Sequence, residues 1–291
     1  MWHVALSALV GVVLFTHGVA AQPLGLPIEG LLKSIRDTET LRIAYRVDSR
    51  PFSFVDAEGR RPTGYTIELC ERIAASLRDE LGLKKLEIEW VRVDTQTRFP
   101  TIMQHRADME CGSTTVSLSR LKNVDFSTFI YVESTGVLVR SDRNIFSFND
   151  LAGKRIGVVP GSTNAQALRN QLDQRKLVAS LVEFNDRQEG VAALARGELD
   201  GFASDKLVLL AIAQAANHRG FQLLPDDLSF EPFAIMLPQG DWAFRLAVNA
   251  ALARIFRSGE IVDLYTRYFS TLGRDPSRWL GAVYTFGGLA E

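Results

Sequence analysis

The sequence is poor in cysteine, in histidine and in net charge, and each shortage removes a class of function. Of 291 residues only two are cysteine, Cys70 and Cys111, and four are histidine, His3, His17, His105 and His218. No Cys or His pair stands at ligand spacing, so a zinc site has little support and no metal is implied. The 33 basic and 34 acidic side chains leave a formal charge of −1, with both signs interspersed. Without a basic arm or an acidic tract, neither nucleic acid nor an anionic membrane surface is suggested as a partner. No nucleophile elbow, phosphate-binding loop or metal motif is present, so no cofactor and no familiar catalytic centre is indicated. Long apolar runs are missing too, apart from Ala8 to Phe15. That run, followed by the small residues Val19, Ala20 and Ala21, reads as an export signal over residues 1–21, with the mature chain starting near Gln22. Its leading segment has only His3 where Lys or Arg is usual, but the run is short for a membrane span and no second one follows.

Export bears on the cysteines. In an oxidising compartment Cys70 and Cys111 suit one disulfide; two buried thiols packed as small hydrophobes are the competing reading, and the bridge is favoured. With 46% of residues apolar a packed core is assured, and the mature length exceeds what one core usually fills, so two lobes or one large domain are expected.

Strands and amphipathic helices alternate, the pattern of a largely parallel sheet covered by helices. Leu41 to Val47 reads as a strand; Leu69, Cys70, Ile73, Leu77 and Leu81 recur at helical spacing; Leu86 to Val93 is a strand, Arg98 to Arg106 a short helix, and Ala107 to Cys111 a strand. A second unit of the same kind runs through Arg155 to Val159, Thr163 to Leu172, Leu181 to Phe184, Gln188 to Arg196 and Leu199 to Ala203, then a helix from Asp205 to Asn217. Gly136 to Arg140 and Phe233 to Leu237 suit two crossover strands. The helices Trp242 to Phe256 and Glu260 to Phe269 return to the first lobe, a hinge layout suited to closing on a ligand. The sequence offers no reading of the tail from Pro276.

Ligands of open α/β sheets sit beyond the carboxyl ends of strands. The residues there are Tyr45, Arg46 and Asp48; Thr95 and Arg98; Ser113, Thr114, Thr115 and Arg120; Gly161, Ser162 and Thr163; Asp186 and Arg187; Ser204 and Asp205. Guanidinium forks match carboxylate oxygens in pairs, so Arg46, Arg98 and Arg120 suit an anion with more than one acidic group, while Asp205 suits an ammonium. Each also has an ordinary reading: a strand-end arginine is more often solvated, and Ser162, Thr163 or Asp205 can simply cap a helix. Their joint placement favours a binding cleft.

Several motifs carry a resemblance. Tyr45-Arg46, Pro51-Phe52-Ser53-Phe54, Gly64-Tyr65, Thr95-Gln96-Thr97-Arg98 and Met109-Glu110-Cys111-Gly112-Ser113-Thr114-Thr115 resemble the glutamate/aspartate-binding subfamily of periplasmic solute-binding proteins serving ABC importers (solute-binding protein family 3). Arg120 with Val124-Asp125-Phe126-Ser127, Leu151-Ala152-Gly153-Lys154, Gly161-Ser162-Thr163, Asp205 and Ser258-Gly259-Glu260 extend the likeness along the mature chain. It implies a two-lobed α/β fold of type II, with lobe 1 over 22–138 plus 238–291 and lobe 2 over 139–237, in a periplasmic and most simply monomeric protein. By the same resemblance Arg120, Ser113 and Thr115 hold the α-carboxylate of an acidic amino acid, and Asp205 its ammonium. Arg46, Arg98 and Thr95 hold the side-chain carboxylate, Ser162 and Thr163 close from lobe 2, and permease subunits receive the closed form. The chain departs from the pattern at Arg187, where a histidine is expected, and at Val159, where a hydroxyl is usual; both bear on ligand size and preference. The rival readings are a cyclohexadienyl dehydratase on the same fold, with Glu110 or Asp186 as general acid, and a ligand-sensing domain serving a receptor.

Overall fold

The computed structural model describes residues 24–290 apart from 57, 60 and 274, so the export signal read at 1–21 lies outside the described residues. Helix α1 (Gly30–Thr38) leads into β1 (Thr40–Tyr45). Three short strands, β2 (Asp48–Ser49), β3 (Ser53–Val55) and β4 (Pro62–Thr63), form a small antiparallel sheet beyond it. Helix α2 (Tyr65–Glu80) buries Leu69, Cys70, Ile73 and Leu77 along one face, as their spacing predicts. Its start needs Gly64: the backbone there has φ 131°, and a Cβ would lie 2.3 Å from the Phe52 carbonyl oxygen. Strand β5 (Glu87–Arg92), helix α3 (Arg98–Met103) and strand β6 (Met109–Cys111) complete the first unit, with β1 parallel to β5 on one side and β6 on the other.

The chain then runs through one 16-residue strand, β7 (Asp125–Arg140). The second unit follows: β8 (Arg155–Val158), α4 (Thr163–Gln174), β9 (Ser180–Glu183), α5 (Arg187–Ala195), β10 (Gly201–Asp205) and α6 (Lys206–Ala215). Strand β8 is parallel to both β9 and β10. After β11 (Phe221–Leu223) the chain returns along β12 (Ser229–Leu237) to α7 (Trp242–Ser258), α8 (Glu260–Phe269) and α9 (Arg278–Gly287).

The main sheet has the order β5-β1-β6-β12-β7-β10-β8-β9, with β11 on the outer part of β7. Two parallel halves are therefore joined through two antiparallel strands. Strand β7 pairs with β12 from Asp125 to Thr135, and from Thr135 onward with β10 and β11, so Thr135 faces both Ser229 and Asp205. The two crossover segments expected from apolar patches are parts of these longer strands. Where they cross, Phe52, Tyr65, Tyr131, Phe233 and Phe269 interlock with centroids 4.9 to 6.3 Å apart.

Cys70 on α2 and Cys111 at the end of β6 form the disulfide favoured by the sequence, closing a separation of 41 residues. The tail with no sequence reading forms α9. Ser277 caps it, Leu280 is buried, and Tyr284 shares a 2.8 Å hydroxyl contact with Tyr65. Among the described residues no helix is long and apolar enough to cross a membrane.

Candidate functional site

The strand-end residues face one another across the cleft between the two halves. On the first half, Arg46 follows β1 and is 1% exposed. Its Nη2 donates to Thr95 Oγ1 at 2.8 Å and pairs with the Asp48 carboxylate at 2.7 Å. Arg98 opens α3, also buried, and its Nη1 donates to Thr114 Oγ1 at 2.6 Å; Thr114 in turn donates to Glu110 Oε2 at 2.7 Å. Arg120, part-buried in the turn before β7, donates to the Thr115 carbonyl at 2.7 Å. Arg98 and Arg120 both lie against the Phe99 ring, at 5.3 and 5.2 Å from its centroid. Gly112 makes this crowding possible, because a Cβ there would lie 2.2 Å from Glu110 Oε1 and 3.0 Å from Arg46 Cγ.

On the second half, Ser162 is the N-cap of α4: its Oγ accepts from the Ala165 amide at 3.1 Å and donates to the Val159 carbonyl at 2.7 Å. Its proton is thus spent locally, as the ordinary capping reading holds. Thr163, the first residue of α4, reaches across instead, 3.3 Å from Thr115 Oγ1. Arg187 opens α5, and Asp186 caps that helix through the Glu189 amide at 2.8 Å. Asp205 ends β10 without capping α6 and accepts from Asn164 Nδ2 at 2.8 Å.

Arg187 ties the halves together. Nε donates to Ser204 at 2.8 Å and Nη2 to Asp205 at 3.2 Å on its own side; Nη1 reaches Ser49 at 3.1 Å and Asp48 at 3.5 Å on the other. Arg46, Asp48, Arg187 and Asp205 thus form a continuous buried chain of two cations and two anions. Burial alone would raise the Asp48 carboxyl, but Arg46 and Arg187 bring it down to about 2. Burial raises the Asp205 carboxyl, with Arg187 opposing. Burial also pushes the Arg98 guanidinium well below its ordinary range, and the positive charges of Arg120 and Arg46 push it further.

Arg46 Nε and Nη1, Arg98 Nε, Glu110 Oε1 and Ser113 Oγ are buried without a hydrogen-bond partner among the described residues. Leaving such groups unmatched costs about 1–3 kcal/mol each; Glu110 Oε1 is an acceptor, but the guanidinium N–H groups of Arg46 and Arg98 and the Ser113 hydroxyl are donors that suit a small, strongly accepting group held out of water. Among the described residues no cluster of His, Cys, Asp and Glu could hold a metal ion.

Comparison with known proteins decides the family, since a model of bacterial extracellular solute-binding proteins, family 3, matches residues 41–271. The chain belongs to that family. It is 31% identical over 263 residues to the L-glutamate/L-aspartate-binding protein of Pseudomonas aeruginosa, covering 88% of this chain and 87% of the relative. The glutamate/aspartate import solute-binding protein of Salmonella typhimurium is 26% identical over 254 residues, 87% of this chain and 84% of its own. Among solved structures, an ancestral amino acid-binding protein, a precursor of cyclohexadienyl dehydratase, superposes with a TM-score of 0.73 at 26% identity, covering 82% of this chain and all of its own. The fold is thus the two-lobed type II solute-binding fold that the motifs implied.

In this family member several cleft residues escaped the sequence reading. Ser49, Thr135 and Glu231 are buried, and only their partners in space make them notable. Glu231 interrupts the apolar β12 as Glu231-Pro232, the one local signal that was there to find.

Proposed function

We propose that this solute-binding protein is exported to the periplasm through a signal peptide at residues 1–21, closes as a monomer over glutamate or aspartate, and presents the closed form to the permease subunits of an ABC importer. The lobes divide as 22–138 plus 238–291 and 139–237. The observation that carries the reading is the buried first-lobe cluster of Arg46, Arg98 and part-buried Arg120, with guanidinium N–H groups of Arg46 and Arg98 unmatched by any protein acceptor among the described residues. A dicarboxylate supplies acceptors for such a set; stripping water from its charges is otherwise costly.

Arg120, Ser113 and Thr115 take the α-carboxylate end, and Arg46, Arg98 and Thr95 the side-chain carboxylate. Thr163, Ser162, Arg187 and Asp205 close from lobe 2, whose acidic side faces the ammonium. Glutamine would leave two desolvated guanidiniums without an anion, a penalty of about 3 kcal/mol or more. Because the ligand touches both lobes it binds the closed form better and shifts the hinge equilibrium toward it.

The identity of the relatives supports transport over catalysis, and the protein is proposed to form no product. One observation bears on the dehydratase alternative: Glu110, named as a candidate general acid, is buried with its Oε1 unmatched among the described residues. Calorimetric titration of the mature, ligand-stripped protein with glutamate, aspartate, glutamine and a cyclohexadienyl acid tests both. Tight binding of glutamate or aspartate without turnover is expected; turnover of the cyclohexadienyl acid, or no binding of either amino acid, refutes the proposal.

A further inference from the structure

Arg98 is held by very little. Its Nη1 donates to Thr114 Oγ1 at 2.6 Å, and among the described residues that is the one hydrogen bond its side chain makes; Nε is buried without an acceptor. Burial and the like charges of Arg120 and Arg46 work against its cation, and the Glu110 carboxylate supports it. The aim of this guanidinium therefore depends on what fixes Thr114.

Thr114 is fully buried and is fixed in both backbone and side chain. Its carbonyl accepts from the Ala234 amide of β12 at 3.1 Å. Its hydroxyl donates to Glu110 Oε2 at 2.7 Å. Glu110 stands in β6, paired with Ala44 of β1 on one side and Met236 of β12 on the other, so this acceptor is anchored in the middle of the sheet. The order of protons along the row is forced. A guanidinium only donates and a carboxylate only accepts, so the Thr114 hydroxyl accepts from Arg98 and gives its own proton to Glu110. Both contacts are short and charge-assisted, the kind that fixes geometry most firmly. Thr114 sits between Ser113 and Thr115, both assigned above to the α-carboxylate, but its own proton is spent within the protein, which makes it a support and not a ligand contact.

We propose that Glu110 and Thr114 are positioning residues: the row Glu110–Thr114–Arg98 aims the Arg98 guanidinium at the ligand's side-chain carboxylate and so sets the preference for an acid over the corresponding amide. This rests on the acidic amino acid reading above, in which Arg98 takes that carboxylate. A misaimed guanidinium keeps its charge but loses the paired geometry a carboxylate exploits, so the loss falls on acids and largely spares amides.

The test is calorimetry on ligand-stripped wild type, Thr114→Val, Thr114→Ser and Glu110→Gln, each titrated with glutamate against glutamine and aspartate against asparagine, the weaker amides being read by competition with the acid. Wild type is expected to prefer the acid. Thr114→Val keeps the shape and removes the hydroxyl; it should weaken the acids about 10- to 100-fold and the amides by no more than about threefold, so the preference collapses. Thr114→Ser restores the hydroxyl and should bring the preference back to within about threefold of wild type. Glu110→Gln leaves an acceptor oxygen for the Thr114 proton and should keep the preference likewise. A purely structural role would weaken acid and amide alike, or lower Tm with the preference intact. The proposal is overturned if Thr114→Val weakens acid and amide equally or weakens neither, or if Glu110→Gln abolishes a preference that Thr114→Val retains. Should Thr114→Val fail to fold because the Glu110 carboxylate is left buried and unpaired, the double variant Glu110→Gln/Thr114→Val removes that charge and is held to the same outcomes. Wild type that binds neither acid, or binds the amides equally well, would instead remove the acidic amino acid reading itself.

Discussion

Replacing Arg98 by methionine should separate binding from folding, because the same charge is costly to the ligand-free protein and necessary to the complex. Arg98 is 3% exposed, makes one 2.6 Å bond to Thr114, and has an unmatched Nε. Burial disfavours its charge, and Arg120 and Arg46 add like-charge repulsion. Methionine keeps much of the volume and removes the cation. The lost hydrogen bond costs about 1 kcal/mol, while relief of a buried, poorly paired charge returns about 1–4 kcal/mol. Thr114 keeps its bond to Glu110, so the net effect on ligand-free stability should lie between zero and a gain of about 3 kcal/mol. At about 2–4 °C per kcal/mol for a protein of this size, Tm should stay level or rise by several degrees. Binding should move the other way: an anionic ligand losing a desolvated guanidinium partner gives up about 3–5 kcal/mol, roughly two to three and a half orders of magnitude in Kd. Thermal melts and calorimetry on the same ligand-stripped samples measure both. A variant that melts lower yet binds glutamate and aspartate as before would make Arg98 a structural ion and refute the reasoning.

Other perturbations give equally definite outcomes. Asp48, with its native carboxyl at about 2 against an ordinary 3.8, contributes stability that is present above pH 3.8 and lost as pH falls toward 2. That contribution is about 2 kcal/mol, so urea midpoints of wild type and Asp48→Asn should differ at pH 7 and converge near pH 2. Paired Cys70→Ser and Cys111→Ser substitutions open a loop of 41 residues and should cost about 4 kcal/mol by the chain-entropy argument, read as a lower denaturant midpoint with binding intact below it. Arg187→Gln removes the guanidinium that joins Asp48 and Ser49 to Asp205 and Ser204; the ligand-free protein should open, with a larger radius of gyration by small-angle scattering, and unchanged scattering would refute the tie.

Local patterns specified much of this molecule. Apolar spacing in α2 and α4 and the short apolar strands β1, β5 and β8 follow from periods of a few residues, so they could be read off the chain within a residue or two. Because strand ends feed the cleft, Arg46, Arg98, Arg120, Arg187 and Asp205 could be picked out as candidates before any contact was known. Pairing between distant segments was beyond such reading. That β7 is a single 16-residue strand depends on partners as remote as β12 and β10, and the α9 tail is anchored by Leu280 and by Tyr284 meeting Tyr65. In the cleft, local signals placed Arg187 at a strand end, but its joining of Asp48 to Asp205 arises only when the lobes meet. Glu231 shows the same limit: in sequence it is one acid in an apolar strand, and only in space do four hydroxyls from positions 115, 135, 163 and 229 gather around its carboxylate. Residue type and spacing determine which side chains can carry charge to a strand end, whereas which charges remain uncompensated there is decided by three-dimensional proximity, because Coulombic and hydrogen-bond partners are chosen by distance in space and not along the chain.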